Sequence, residues 1–190
     1  MKLLDRFIQR QRIRRAVRWI DDDARVLDVG CFDATLFESL GKKLARGVGL
    51  DPMLDKEVEG PRWRLLRGRL PAGRSLEGPF DAITMLAVLE HVPECDLPAL
   101  AAEVQALLAP SGRLILTVPE PAVDRVLTVL RALHLIDGMS LEEHHGFRTA
   151  ATRALFEGAG LRLLVHDRFQ LGLNNLYVFE RPASPELIRD

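Results

Sequence analysis

The sequence has few of the residues and patterns that mark several large classes of protein. Only two of its 190 residues are cysteines, Cys31 and Cys95, and neither has a partner at CxxC spacing. This argues against a disulfide framework or a structural zinc site, and it predicts a reducing, cytoplasmic location. No apolar run reaches the roughly 18 residues that a membrane-spanning helix needs. The first residues also lack the pattern of a signal peptide.

An excess of charge of one sign is also missing. The 26 basic and 27 acidic side chains leave a net charge of -1, and 47% of the residues are hydrophobic. Such a composition is typical of one globular domain. Because no overall electrostatic field would attract a polyanion, we expect no nucleic-acid partner.

One local exception is the basic stretch at residues 1–23, which we treat as a separate N-terminal element. Arginines and apolar residues interleave there at spacings of three to five, which predicts an amphipathic helix with a basic face. Two interpretations stay open. The helix is a lid or cap that packs its apolar side on the domain, or it is a surface for an anionic substrate or for peripheral contact with membrane headgroups. Its members are Arg6, Arg10, Arg12, Arg14, Arg15 and Arg18, with Phe7, Ile8, Ile13, Val17 and Ile20.

After this element, short apolar strands alternate with helical segments, as in a parallel sheet covered by helices. We predict an α/β, Rossmann-like fold with a seven-stranded, mostly parallel sheet, helices on both faces and an antiparallel C-terminal strand pair. The domain should span residues 24–182, followed by a tail at 183–190. Helices are expected over 96–109, over 121 to about 135 and over 149–159. The predicted strands are RVLDVG, GVGLD, WRLLRG, FDAITML, RLILTVP, LRLLVHDRF and NLYVFE.

The ends of the first two strands carry the candidate ligand-binding residues, because ligands of such sheets lie beyond the carboxyl ends of the strands. Gly30 lets the backbone approach a ligand closely. Asp51 follows 21 residues later, a spacing typical of a carboxylate that binds ribose hydroxyls. A dinucleotide fingerprint is incomplete, since Phe32 and Thr35 stand where further glycines are needed. Asp28 would repel a pyrophosphate but suits an ammonium group, so we predict an adenosine-containing ligand other than a dinucleotide.

Residues 24 to about 180 also carry an ordered set of motifs that resembles a known family. VLDVGCFDATL, GVGLDP, FDAITMLAVLEHVPE and LLAPSGRLILTVP resemble the successive motifs of the class I S-adenosylmethionine-dependent methyltransferases. The likeness is to the small-molecule group called methyltransferase type 11 or 12. It implies an enzyme that transfers a methyl group from S-adenosylmethionine to a small-molecule acceptor. Phe32 and Ala34 replace the usual second and third glycines of the first motif.

The resemblance also assigns roles to individual residues. Asp51 is expected to bind the ribose, Met53 to lie against the adenine, and Leu86 and Ala87 to border the sulfonium. We expect Asp51→Ala to lower cofactor affinity with little change in stability, on the view that its carboxylate faces the ligand. The full set of implied cofactor-binding residues is Asp28, Gly30, Cys31, Phe32, Asp51, Pro52, Met53, Arg69, Leu70, Leu86 and Ala87.

A general base is needed only if the acceptor loses a proton, and the candidate catalytic residues are His91, His144 and His145. The run Glu142 to His145 does not have the spacing of a zinc-binding helix, so no metal is expected. Residues 137–148 are predicted to cover the acceptor together with the N-terminal helix. Two alternatives remain, namely a non-catalytic methyltransferase-like binding or partner module with an altered cofactor loop, and a nicotinamide enzyme. The sequence indicates neither the acceptor nor the oligomeric state.

Overall fold

The computed structural model describes residues 3–71, 76–120 and 149–183, and in them one eight-stranded sheet forms the centre of the protein. The strand order is β3-β4-β2-β1-β5-β6-β8-β7. Strands β4, β2, β1, β5 and β6 are parallel, whereas β8 pairs antiparallel with both β6 and β7. The strands are β1 Ala24–Val29, β2 Leu44–Asp51, β3 Val58–Glu59, β4 Trp63–Arg67, β5 Phe80–Leu86, β6 Leu108–Pro119, β7 Arg162–Phe169 and β8 Asn174–Glu180.

Within the part of the chain that the structure describes, four α-helices cover the two faces of the sheet. They are α1 Leu3–Ala16, α2 Thr35–Leu40, α3 Leu97–Leu107 and α4 Thr149–Gly158. On one face α1 and α2 pack on a core that contains Ile13, Phe37 and Val26. On the other face Leu100 and Phe156, from α3 and α4, belong to a second core with the central strands. Side chains alternate between the faces of a strand, so apolar residues throughout β1 and β5 serve both cores. The predicted α/β fold is confirmed.

The number of strands was predicted one too low. The short strand β3 lies antiparallel to β4, with Val58 opposite Leu65 and Glu59 opposite Arg64. The chain between Asp51 and Trp63 is too short for a helix of ordinary length, so it turns back along the edge strand. A strand of two residues has no periodicity by which it could be found in the sequence.

Residues 110–112, which directly follow the helix predicted over 96–109, lie inside a strand. Their backbone is paired, since the amide of Ser111 donates to the carbonyl of Arg181 and the amide of Arg181 donates to the carbonyl of Gly112, each at 2.9 Å. Helix α3 therefore ends earlier than predicted, and β6 begins at Leu108. The helix over 149–159 is confirmed as α4. The helix predicted over 121–135 lies outside the described residues, as does the predicted cover at 137–148.

Candidate functional site

The loop after β1 is fastened to the end of β2. The backbone amides of Gly30 and Cys31 both donate to the carbonyl of Leu50, at 2.7 and 3.2 Å. Gly30 has a φ of 73° and Phe32 a φ of 54°. Backbone in this region is rare for residues other than glycine and often marks functional sites. These bonds fix the course of the loop between the carboxyl ends of the two strands.

The carboxylate of Asp51 completes this fastening. Its Oδ2 accepts the amide of Phe32 at 2.9 Å, and its Oδ1 accepts the amide of Met53 at 2.8 Å. Asp51 is buried, with 8% of its surface exposed. A carboxylate has about four acceptor sites, so two remain for a ligand. The expectation that Asp51 contributes little to stability does not fit this geometry, because its carboxylate satisfies two backbone donors of the fold itself.

The ring of Phe32 does not lie over Gly30. It is 60% exposed and borders a cavity of about 380 Å³ together with Arg6 and Arg10 of α1. The space above Gly30 is filled instead by Val88, whose Cγ2 would lie 2.4 Å from a Cβ at position 30. The large residue in the first motif is therefore accommodated by turning its ring towards α1.

Asp28 and Thr84 form a buried polar pair on the face that α1 covers. They are register partners in β1 and β5, and the Thr84 hydroxyl donates to Asp28 Oδ1 at 2.6 Å. Burial raises the pKa of Asp28 to about 7, and the negative charges of Asp33 and Asp51 add to this effect. The Thr84 hydrogen bond opposes the rise by stabilising the carboxylate. A bound cation would stabilise this carboxylate further.

The opposite face carries a mainly apolar cavity of about 160 Å³. Four of the predicted cofactor-binding residues border it, namely Gly30 after β1, Pro52 after β2, and Arg69 and Leu70 after β4. His91 borders the same cavity, from a short 3₁₀ helix that follows β5. The full lining is Val29, Gly30, Leu50, Pro52, Gly68, Arg69, Leu70, Met85, Val88, His91, Val92, Pro93 and Asp96.

Other predicted residues are placed in different ways. Ala87 has a φ of 60° directly after β5, where its amide donates to the carbonyl of Thr117, and Leu86 is half-buried beside it. Cys31 is buried, and its Sγ would lie 2.8 Å from a Cβ at Gly49, so its side chain packs against β2 at that position. Met53 is 81% exposed.

The remaining predicted catalytic residues, His144 and His145, lie outside the described residues. The described residues were also searched for groups of side chains that could bind a metal ion. Among residues 3–71, 76–120 and 149–183 no three His, Cys, Asp or Glu side chains are placed to hold a metal ion. Among the same residues no helix has the length and apolar character needed to cross a membrane.

Polar contacts between α1 and the C-terminal strands were missed by the sequence analysis. Arg12 donates to Asn174 at 3.3 Å, and Arg15 pairs with Asp167 at 2.8 Å. Burial lowers the pKa of Arg12, and the negative charge of Glu90 opposes this effect. The signal available in the sequence was the three-residue spacing of Arg12 and Arg15, which places both on one helix face. Their partners, more than 150 residues away, left no such signal.

The strand order and the glycine loop between two strand-end carboxylates define a Rossmann-like ligand-binding domain. A family model described as a methyltransferase domain matches residues 3–166 of the chain. The chain belongs to this methyltransferase-domain family.

The chain is also similar to curated proteins of two bacteria. It is 31% identical over 154 residues to a ubiquinone biosynthesis O-methyltransferase of Xanthomonas axonopodis pv. citri, covering 74% of this chain and 63% of the relative. It is 30% identical over 155 residues to the enzyme of that name from Xylella fastidiosa strain M23, covering 74% and 61%. The chain thus spans less than two thirds of the length of these relatives.

Solved structures show the same fold at lower identity. The N-methyltransferase NodS of Bradyrhizobium japonicum WM9 has a TM-score of 0.67 at 16% identity, with 95% of this chain and 99% of that chain covered. Magnesium protoporphyrin IX methyltransferase of Synechocystis PCC 6803, solved with bound S-adenosylhomocysteine, has a TM-score of 0.66 at 20% identity, covering 93% and 84%.

Proposed function

We propose that this chain transfers a methyl group from S-adenosylmethionine to a small-molecule acceptor. The observation that carries the proposal is the arrangement around Gly30, where the buried Asp28–Thr84 pair lies on one side of the loop and an apolar cavity on the other. Relatives of the chain are named as methyltransferases, and the similar structure from Synechocystis PCC 6803 was solved with bound S-adenosylhomocysteine.

The residues at this loop fit such a cofactor by their chemistry. The cavity bordered by Pro52, Arg69 and Leu70 is mainly apolar, as an adenine ring requires. Asp51 keeps acceptor capacity for ribose hydroxyls beyond its two backbone bonds. Asp28, a buried carboxylate with a raised pKa, suits the ammonium group of the methionine part because a cation would restore its charged form.

When bound, the cofactor supplies the electrophilic methyl group, so the protein's own task is to align the acceptor and exclude water. We propose that α1 caps the site and that residues 24–182 form the methyltransferase domain. An acceptor that loses a proton needs a base, and His91 is the candidate among the described residues. His91 borders the cavity assigned here to adenine, so this role stays a prediction, as do those of His144 and His145.

A non-catalytic binding module is the second candidate, and the loop itself favours it. The amides of Gly30 and Cys31 donate to Leu50, and the amide of Asp33 donates to the carbonyl of Cys31. Val88 also fills the space over Gly30. Fewer backbone donors are therefore directed at a ligand than a glycine-rich loop offers.

Calorimetry with S-adenosylhomocysteine and with NAD tests the proposal. We expect S-adenosylhomocysteine to bind and NAD not to bind, because the dinucleotide fingerprint is incomplete. Asp28→Asn should weaken the binding, whereas Asp55→Asn, an exposed acid outside the cavity lining, should leave it unchanged. Tight binding of NAD with none of S-adenosylhomocysteine would overturn the assignment.

A cytoplasmic location is a further part of the proposal. Both cysteines are free thiols, Cys31 buried and Cys95 exposed, as is usual for proteins of reducing compartments.

A further inference from the structure

Helix α1 presents two sets of arginines that differ in their surroundings. Arg12 and Arg15 point at the C-terminal strands and have partners there. Arg6, Arg10 and Arg14 follow at four-residue spacing on another helix face. Within the described part of the chain these three side chains form no hydrogen bond or ion pair.

These three arginines line two adjoining cavities between α1 and the start of α2, which together we call the arginine groove. One cavity of about 380 Å³ contains Arg6, Arg10 and Phe32 in its lining. The other, of about 560 Å³, contains Arg10 and Arg14. Arg10 and Thr35 belong to both linings, so the two cavities adjoin each other along α1.

The charges of the groove favour an anion. Like charges at four-residue spacing destabilise an isolated helix, so the three arginines are placed together at a cost that an anionic ligand would offset. Two carboxylates, Asp33 and Glu38, are on the opposite wall. Three guanidinium groups face these two carboxylates, so positive charge is in excess, and Asp33 also accepts the amide of Thr35 at 2.9 Å.

The groove also has an apolar wall and a defined end. The exposed ring of Phe32 borders it, and the amide of the same residue is held by Asp51 in the loop assigned to the cofactor. An elongated ligand with its anionic end on the arginines would therefore reach the loop with its apolar part against Phe32.

We propose that the arginine groove binds the methyl acceptor, and that the acceptor carries a carboxylate or phosphate group together with an apolar portion. This inference rests on the proposed function, since it names the substrate class of the same site. Guanidinium groups are well matched to both anions because they donate bidentate, charge-assisted hydrogen bonds.

The test uses small probes of matched shape on the full chain. Benzoate and phenyl phosphate carry the anionic group, and benzamide is the neutral counterpart of benzoate. We expect ligand-observed NMR to show benzoate and phenyl phosphate binding at least about tenfold more tightly than benzamide. The variant Arg6→Gln/Arg10→Gln/Arg14→Gln should lose this preference, and Arg10→Lys should keep part of it. Arg18→Gln is the matched control, because Arg18 is exposed and lines neither cavity.

Four outcomes are distinguished by measuring S-adenosylhomocysteine affinity, thermal melting and vesicle sedimentation of the same variants. Loss of the benzoate preference with unchanged melting and unchanged S-adenosylhomocysteine affinity supports the groove. Equal binding of benzoate and benzamide by a protein that binds S-adenosylhomocysteine overturns the groove but leaves the proposed function. Absence of S-adenosylhomocysteine binding in the unmodified protein overturns the proposed function. Arginine-dependent sedimentation with phosphatidylglycerol vesicles, without binding of the small probes, would assign the arginines to a lipid surface and overturn the groove.

Discussion

The two sides of the loop after β1 differ in polarity although the same strands build both. On the side of α3 and α4, Val29 and Met85 border the apolar cavity of about 160 Å³. On the side of α1, their sequence neighbours Asp28 and Thr84 form a buried hydrogen-bonded pair. Successive side chains of a strand point to opposite faces, so adjacent residues of β1 and β5 supply the two environments.

This difference shows how one sheet edge can hold a ligand with dissimilar parts. The apolar side suits a flat ring, and the acidic side suits a cation. The arginine groove, on the side of α1, adds a region that suits an anion. Gly30 and Asp51 lie at the border between these regions, which makes them the positions where substitutions should have the largest effects.

Asp51→Ala should have the largest effect on stability among the substitutions at the loop after β1. Two backbone amides, of Phe32 and Met53, lose a charged acceptor, so we expect the free energy of unfolding to fall by about 2–4 kcal/mol. Affinity for S-adenosylhomocysteine should fall as well. Urea unfolding and calorimetry measure the two quantities. Asp55→Ala, at an exposed position in the same segment, should change stability by less than about 0.5 kcal/mol. Equal stability of the two variants would show that Asp51 does not fasten the loop.

Gly30→Ala should have the next largest effect, lowering the free energy of unfolding by roughly 2–4 kcal/mol. An alanine at a φ of 73° is strained, and its Cβ would lie 2.4 Å from Val88. Gly160→Ala is the matched control, because Gly160 also has a positive φ, of 88°, but has no atom within 4 Å of the added Cβ. This control variant should lose only the stability that a strained, positive φ costs an alanine, about 1–2 kcal/mol. Adding Val88→Ala to Gly30→Ala should restore the stability that is lost through the clash between the new Cβ and Val88. Failure of this double variant to recover would argue against the close approach of Val88.

Stability and ligand affinity should both depend on pH, because Asp28 on the polar side of the loop titrates. Burial raises the pKa of Asp28 from 3.8 to about 7, so between these values the folded protein holds a proton that the unfolded chain has lost. The stability that this group contributes is full below the unfolded pKa and is lost as pH rises to about 7. Affinity for S-adenosylhomocysteine should change in the opposite direction, rising through the same range as Asp28 becomes charged. Calorimetry from about pH 5 to about pH 9 measures the midpoint.

Thr84→Val sharpens this test because it removes the hydroxyl that stabilises the Asp28 carboxylate. The pKa of Asp28 should rise further, and the midpoint of ligand affinity should move to higher pH. Thr117→Val is the control, since the hydroxyl of Thr117 is buried and has no hydrogen-bond partner among the described residues. If the S-adenosylhomocysteine affinity of both variants were independent of pH, Asp28 would not interact with the ligand.

Arg15→Ala should have the smallest effect. Its ion pair with Asp167 is partly exposed, and its guanidinium lies 5.5 Å from the centre of the Phe169 ring. We expect a loss of about 0.5–1 kcal/mol that decreases at high salt. Urea unfolding at two salt concentrations measures it, with Arg18→Ala as the neutral comparison. A larger loss that salt does not change would indicate that packing, rather than charge, joins α1 to β7.

Much of the fold could be predicted because its signals are local. The alternation of strands and helices, the glycine that ends β1 and the acid that ends β2 are visible within short segments. The helix start at Thr35 shows the limit of such signals. Thr35 to Glu38 has the spacing of a capping box, yet the side chain that accepts the amide of Thr35 is that of Asp33. Two local interactions competed for one amide, and the sequence did not rank them.

The sequence by itself determined which residues end the strands, and hence where a ligand site lies, because strand ends and turns depend on neighbouring residues. Only the tertiary structure decided what those residues do there. In that structure both carboxylate oxygens of Asp51 accept backbone amides, and Val88 lies over Gly30. The ring of Phe32 lies beside α1, and the arginines of α1 fall into a paired set and a groove-lining set. These contacts join segments far apart in the chain, so their geometry depends on how the sheet and helices pack and not on any pattern along the sequence.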